Sequence, residues 1–287
     1  MDRFTLTSKE YWSAVNEPAT NAPPRAPSSL KRLVRAMVGR ERLDRLTASY
    51  SEELYWRIVT RTVAPSPGKR SLEIGSAPGH NSVLLTRKLL CEPFGVEYTE
   101  VGARVNRRVF ADAGINPANV FENDIFDDEF LNKHREEFDI VMSGGFIEHF
   151  SEPRGVIERH IALLKDGGVL LIGIPRLRGL GYVLTKIIAP NLLSAHNIRI
   201  MSFCCFKELF VNTSVEPLFC GLVGGIGLEM ITSNSKRYWI RSAGSTAQKL
   251  LNVALRVLPF KVEGELISPH LLFVGVKHAQ ATSAAPG

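Results

Sequence analysis

The stretch Glu73-Ile74-Gly75-Ser76-Ala77-Pro78-Gly79 has the residue types of a ligand-binding loop between an apolar run and a helical pattern. Small residues at positions 75, 77 and 79 let the backbone approach a ligand closely, and the following helix offers free N–H groups. A dinucleotide fingerprint would need a third glycine where this chain has His80, and the lysine of a P-loop is missing. Because the carboxylate of Glu73 would repel a pyrophosphate, the loop favours a cationic or amine-bearing ligand.

Two further carboxylates and two histidines complete the set of candidate functional residues. Glu97 lies 22 residues after Gly75 and can accept hydrogen bonds from both hydroxyls of a ribose. Asp124 follows the next apolar run and can accept a hydrogen bond from the exocyclic amine of an adenine. His149 and His196 are the candidates for a general base, because histidine titrates near neutral pH.

An alternation of strands and helices positions these residues. We predict five strands, at 71–74, 93–97, 119–122, 138–142 and 169–174. Helices are predicted between them, at 80–91, 101–113 and 154–164. This alternation is typical of a doubly wound α/β fold with a mainly parallel sheet. In such sheets ligands bind beyond the carboxyl ends of the strands, where the candidate residues lie.

The rest of the chain divides into a short N-terminal segment, one large domain and a tail. Residues 1–28 comprise a helix at 4–16, containing Tyr11 and Trp12, and a proline-rich linker. The domain spans 29–278. Its further predicted elements are helices near 30–38 and at 48–63, a less regular insertion at 176–200, a helix at 203–212, a strand at 215–222, a helix at 246–257 and a strand at 270–276. The tail, 279–287, is expected to be disordered.

Composition indicates a globular protein of the cytoplasm. Hydrophobic residues make up 45% of the 287 residues and charged residues 22%, as in ordinary folded domains. No apolar run is long enough for a membrane helix, and no signal peptide is recognisable. The four cysteines lack the spacing of a zinc site or of a disulfide framework, so we expect no metal.

The positive charge is concentrated near the N-terminus. Residues 25–70 contain 11 lysines and arginines against 4 acidic residues, within a chain of net charge +6. Such a segment could serve an anionic partner, whereas the simpler alternative is a solvated helical face. No aromatic residues alternate with the basic ones as a nucleic-acid interface would favour, so we expect no stable nucleic-acid partner.

Taken together, the segments at 69–175 resemble the class I S-adenosylmethionine-dependent methyltransferases. The resemblance rests on Glu73 with the glycine loop, on Glu97 and Asp124, and on 146–150 and 164–168. It implies a Rossmann-like sheet of seven strands with an antiparallel last strand, and S-adenosyl-L-methionine as cofactor. The loop would lie near the methionyl part, and the ribose and adenine would contact these residues: Glu97, Tyr98, Asp124 and Ile125. Ser143 and Gly144 begin the segment between cofactor and acceptor.

The resemblance also bears on the methyl acceptor. After the fourth strand the chain has Ser143-Gly144-Gly145-Phe146 and not the Asn/Asp-Pro-Pro-Tyr/Phe of enzymes that methylate planar amino groups. We therefore expect a hydroxyl, or else a carbon or an amine, of a small biosynthetic intermediate that is lipophilic or contains a sugar. The insertion at 176–200 would form a lid over it. The alternatives are an RNA or protein methyltransferase that uses the basic segment, and a non-catalytic partner subunit; a homodimer stays open.

Overall fold

A central sheet of seven strands organises the computed structural model, which describes residues 5–17, 46–258 and 262–279. The strands are β1 Arg70–Ile74, β2 Glu92–Glu97, β3 Val120–Glu122, β4 Phe138–Gly144, β5 Leu164–Pro175, β6 Val215–Val223 and β7 His270–Lys277. Their order in the sheet is β3-β2-β1-β4-β5-β7-β6. The pairs among β1 to β5 are parallel, and β7 runs antiparallel to both of its neighbours. The predicted fold class, including the antiparallel last strand, is confirmed.

Helices cover both faces of this sheet. Those of the described residues are α1 Lys9–Asn16, α2 Tyr50–Thr62, α3 His80–Leu89, α4 Glu100–Asp112, α5 Asp128–Lys133, α6 Pro153–Leu163, α7 Leu180–Ile188, α8 Asn191–Ser194, α9 Phe203–Glu208, α10 Glu229–Ser233 and α11 Tyr238–Val257. Short 3₁₀ turns occur at Pro117–Asn119 and Ile147–His149. None of these helices is long and apolar enough to cross a membrane.

Alternating side chains divide the core into two layers. Val141 packs in one cluster with residues of α6, while its neighbours Ile140 and Met142 pack in another with α2 and α3. The period of two residues along a strand produces this division. Because β4, β5 and β7 are buried on both faces, each contains a continuous apolar run, at 140–142, 169–172 and 271–274.

Several element boundaries differ from the predictions. The first helix begins at Lys9, the helix predicted at 203–212 ends at Glu208, and β5 begins at Leu164. The insertion at 176–200 contains two helices, α7 and α8. Helix α11 begins at Tyr238, well before the predicted 246. The linker, the helix near 30–38, residues 25–45 of the basic segment and all of the tail after 279 lie outside the described residues.

Candidate cofactor and acceptor site

One cavity of about 360 Å³ opens at the carboxyl ends of β1 to β4. The order of strands reverses between β1 and β4, which is where open α/β sheets form a binding crevice. Its walls come from the ends of the four strands and from the N-terminal segment. The lining residues are Thr5, Thr7, Ser8, Lys9, Trp12, Ile74, Gly75, Val96, Tyr98, Asn123, Asp124, Ile125, Phe126, Phe146, His149 and Phe150. Its volume suits a ligand of nucleoside size.

The glycine loop after β1 depends on two positions where a side chain would not fit. Gly75 has φ +66°, and a Cβ there would lie 2.5 Å from the ring of Phe146. Gly79 has φ +101° and begins α3 as its N-cap, where a Cβ would lie 2.3 Å from Asn106 Oδ1. Positive φ favours glycine at both positions. The backbone therefore forms the floor of the cavity at Gly75.

Glu73 stabilises this loop through hydrogen bonds to the first turn of α3. Its carboxylate accepts hydrogen bonds from Asn81 Nδ2 at 3.1 Å and from the Ser82 backbone N–H at 2.9 Å. The side chain is buried and is not among the residues that line the cavity. Burial raises the pKa of Glu73 to about 7, although the hydrogen bonds from Ser82 and Asn81 oppose the shift. Glu73 therefore contacts α3 and positions the loop.

Within the loop, Ser76 is also committed to the protein. Its backbone N–H donates to Val96 O at 3.2 Å, and its hydroxyl accepts a hydrogen bond from Asn106. The neighbouring Ala77 precedes a cis peptide bond to Pro78. Of this loop, Gly75 lines the cavity, whereas Ser76, Ala77 and Gly79 are not among the lining residues.

The end of β2 lies on a second side of the cavity, which Val96 and Tyr98 line and Glu97, between them, does not. Glu97 is buried, and its Oε1 accepts hydrogen bonds from the Thr99 backbone N–H at 3.0 Å and from Thr99 Oγ1 at 2.6 Å. These two bonds hold the carboxylate in place. Tyr98 lines the cavity, and its pKa is raised by burial and by the negative charge of Glu97 and Asp124.

The residues after β3 form the third side. Asp124 and Ile125 both line the cavity, and Asp124 Oδ1 accepts a hydrogen bond from the Phe126 backbone N–H at 2.9 Å. A carboxylate and an apolar side chain therefore lie next to each other here. This pairing can bind the polar edge and the flat face of an adenine.

At the end of β4, Ser143 and Gly144 differ in their exposure. Ser143 is fully buried, and its hydroxyl has no hydrogen-bond partner within the described part of the chain. Gly144 is exposed and lies close to the Asn81 side chain. Neither residue lines the cavity, whereas Phe146, two residues further on, does.

The two candidate bases, His149 and His196, lie side by side with ring centroids 4.5 Å apart. His149 Nδ1 is 2.8 Å from Ala195 O, and His196 Nδ1 is 2.6 Å from Leu192 O. A carbonyl can only accept, so each ring carries its proton on Nδ1 and leaves Nε2 as an acceptor. Burial lowers the pKa of His149 to about 3, helped by the adjacent His196. Both rings are buried, but only His149 lines the cavity.

The N-terminal segment forms one wall of the cavity. The spacing of residues along the sequence does not predict its contacts with the rest of the chain. Leu6 N–H donates to His149 O at 2.7 Å, and Thr5 forms an isolated bridge with Phe150. The Trp12 ring meets His149 edge to face, at 4.8 Å between centroids, and its Nε1 donates to Thr7. Trp12 thus lines the cavity, whereas Tyr11 meets the Trp12 ring edge to face and is not a lining residue.

Glu148 is a site residue that the sequence analysis missed. It is 0% exposed, and neither carboxylate oxygen has a hydrogen-bond partner among the described residues. Burial raises its pKa to about 8. The only available signal was its place beside His149 after β4, because an acidic residue in a turn usually faces solvent.

Comparisons with known proteins agree with this geometry. A family model described as a methyltransferase domain matches residues 47–205, more than half of the chain. A demethylmenaquinone methyltransferase of Clavibacter sepedonicus is 28% identical over 180 residues, which cover 58% of this chain and 67% of that protein.

Solved structures share the fold at low sequence identity. A geranyl diphosphate C-methyltransferase from Streptomyces coelicolor, solved with Mg²⁺, geranyl diphosphate and S-adenosyl-L-homocysteine, superposes with a TM-score of 0.54 at 14% identity. The match covers 91% of this chain and 88% of that one. A structure described as a putative sarcosine dimethylglycine methyltransferase from Galdieria sulphuraria gives 0.53 at 14% identity, covering 79% and 85% of the respective chains.

Proposed function

Since the chain belongs to the methyltransferase-domain family and is a class I S-adenosylmethionine-dependent methyltransferase, we propose which acceptor it methylates and which residues take part. The acceptor is a hydroxyl, or else a carbon or an amine, of a small apolar biosynthetic intermediate. The observation that carries this proposal is the aromatic end of the cavity. Trp12, Phe146 and Phe150 line it together with His149, so an apolar molecule fits against a single polar ring.

Residues at the carboxyl ends of β1, β2 and β3 would hold the cofactor. Backbone at Gly75 lies beside the methionyl part, Glu97 accepts from the ribose hydroxyls, and Asp124 with Ile125 contacts the adenine. The cofactor supplies a methyl group that its sulfonium already activates. The protein has to align the acceptor atom with that methyl group, and such orientation contributes about 7–11 kcal/mol to the barrier reduction.

His149 is the residue that we assign to the acceptor. Its Nε2 is unprotonated, so it can accept a hydrogen bond from a hydroxyl or an amine and orient the reacting atom. Because burial holds the pKa of His149 near 3, this ring is a weak base and its main contribution is orientation. His196 lies behind it and supports its position.

Two of the three relatives support an apolar acceptor, whereas the third is named for sarcosine and dimethylglycine, which are polar amines. The two supporting relatives are named for demethylmenaquinone and for geranyl diphosphate, compounds that carry isoprenoid chains, and the second is named as a C-methyltransferase. A carbon acceptor is therefore the second candidate. In that case Trp12, Phe146 and Phe150 would hold the apolar chain beside the methyl group.

A labelling experiment tests the proposal. Full-length protein is incubated with methyl-labelled S-adenosyl-L-methionine and cell extract, and the extract is then separated into organic-soluble, nucleic-acid and protein fractions. We expect label in the organic-soluble fraction, with mass spectrometry identifying an O-, C- or N-methyl product. Glu97→Ala, with its expected weaker cofactor binding, is the matched control. Label confined to RNA or protein would overturn the proposal and favour the basic segment as the substrate-binding element.

A further inference from the structure

Glu148, His149 and His196 meet where two distant parts of the chain join. Glu148 and His149 belong to the 3₁₀ turn after β4, whereas His196 follows α8 in the insertion at 176–200. Two backbone contacts connect these parts, since Asn197 N–H donates to Glu148 O at 2.6 Å and His149 Nδ1 lies 2.8 Å from Ala195 O. The three side chains are therefore held by main chain on both sides.

The spacing of the three side chains is close to that of metal ligands. One ligand atom from each residue lies within 4.8 Å of the other two, and His149 Nε2 is 3.8 Å from Glu148 Oε1. Ligands bound at about 2.1 Å around a tetrahedral ion are about 3.4 Å apart. Small side-chain rotations would bring the three atoms to that separation. Among the described residues, no other group of three such side chains meets this spacing.

The hydrogen bonds of the histidines prepare their other nitrogens for a cation. Both Nδ1 atoms lie at hydrogen-bond distance from backbone carbonyls, so both Nε2 atoms keep a free lone pair. Histidines that bind metal ions almost always donate the other ring N–H in this way, which orients the ring and raises its strength as a ligand.

Glu148 provides a second, independent observation. Its carboxylate is completely buried, and neither oxygen has a hydrogen-bond partner within the described residues. Buried carboxylates are normally paired with a cation or hydrogen-bonded, because desolvation without compensation is costly. Glu148 Oε1 lies 3.8 Å from His149 Nε2, but this nitrogen carries neither a proton nor a charge that would compensate the carboxylate. A cation between these atoms would satisfy the carboxylate.

We propose that Glu148, His149 and His196 bind one divalent transition-metal ion. Two imidazole nitrogens and one carboxylate suit Zn²⁺ in particular, and also Fe²⁺ or Mn²⁺. The ion lies at the edge of the cavity, because His149 is one of the lining residues. A coordination position not taken by the protein is then available to water or to an oxygen atom of the acceptor. With the ion bound, His149 Nε2 is a metal ligand, and the ion takes over from this nitrogen the contact with the acceptor.

Metal titration of the full-length protein tests this proposal without cofactor or acceptor, so its result is separate from that for methyl transfer. Protein freed of metal with EDTA is titrated with Zn²⁺ by calorimetry, and Co²⁺ is used as a spectroscopic probe of imidazole and carboxylate ligands. We expect one ion per chain, and a melting temperature that rises with Zn²⁺. Glu148→Gln and His196→Asn are each expected to weaken binding by at least about 100-fold, more than the loss of an outer-shell partner would.

His160→Gln is the matched control. His160 is also buried, its Nδ1 is 2.8 Å from Val156 O, and its Nε2 has no partner among the described residues, yet it lies outside the cluster. The His160→Gln variant should bind Zn²⁺ with the affinity of the unmodified protein. Binding that Glu148→Gln and His196→Asn leave unchanged would overturn the proposal, as would no stoichiometric binding. The proposal would also be overturned if Co²⁺ gave a thiolate absorption band that disappears in a Cys204→Ser/Cys205→Ser variant, because the ion would then bind to cysteine. Circular dichroism in EDTA establishes that each variant is folded. If only one of Glu148→Gln and His196→Asn folds, that variant alone is enough to test the proposal.

Discussion

Replacing Glu73 with glutamine should change how folding stability depends on pH. Burial raises the pKa of Glu73 from its ordinary 4.5 to about 7. Between these values the folded protein keeps a proton that the unfolded chain has released. The free energy of unfolding therefore falls as the pH rises through this window. Each pKa unit corresponds to about 1.4 kcal/mol, so Glu73 accounts for about 3 kcal/mol that is present below pH 4.5 and lost above pH 7.

Glutamine does not titrate and keeps an oxygen that can accept the hydrogen bond from Ser82. The contribution of Glu73 to the fall in the free energy of unfolding with rising pH should therefore be absent in Glu73→Gln. Urea denaturation between pH 5 and 8, with cofactor-free protein in EDTA, gives the free energy of unfolding of both proteins. We expect the difference, unmodified protein minus variant, to decrease with pH by a large part of the 3 kcal/mol. Taking the difference cancels the contributions of other groups, such as His149.

Glu152→Gln is the control, because it removes a carboxylate at an exposed position. A constant difference between Glu73→Gln and the unmodified protein across this range would refute the reasoning. It would mean that water or a shift of α3 solvates the carboxylate, which would then titrate as it does in the unfolded chain.

Two predictions concern the walls of the cavity, and binding of S-adenosyl-L-homocysteine measured by calorimetry checks both. Gly75→Ala should weaken binding by at least about tenfold, because φ +66° is strained for alanine and the Cβ would displace the ring of Phe146. Gly68→Ala is the control, since it has similar strain at φ +74° but its Cβ meets no atom within 4 Å. Equal affinities of the two variants would contradict the steric argument. Glu97→Ala should weaken binding about 10- to 100-fold by removing charge-assisted hydrogen bonds to the ribose. Glu122→Ala, at the end of the neighbouring strand, is the control and should not weaken binding. An unchanged affinity in Glu97→Ala would exclude the assignment of Glu97 to the ribose.

The sheet could be predicted from the sequence because its signals are local. Inner strands read as short apolar runs between turns, and period-two alternation and helical periodicity survive in any tertiary context. The start of α11 could not be predicted in this way. Gly244 interrupts its helical pattern, but α10 packs against that glycine so closely that a Cβ there would lie 2.3 Å from Thr232 Oγ1. Tertiary packing therefore outweighs the low helix propensity of glycine.

For the site, the sequence by itself determined where the glycine loop, Glu97 and Asp124 lie, because each is at or just beyond the carboxyl end of a strand. Parallel strands end at one edge of the sheet, so Gly75, Tyr98 and Asp124 had to approach one another. Only the tertiary structure decided that Trp12 covers this edge and that His196 reaches Glu148 from the insertion. These contacts join segments far apart in the chain, and no periodicity in either segment records its partner. The burial of Glu148 likewise arises from surrounding elements, which a sequence pattern confined to its own turn does not contain.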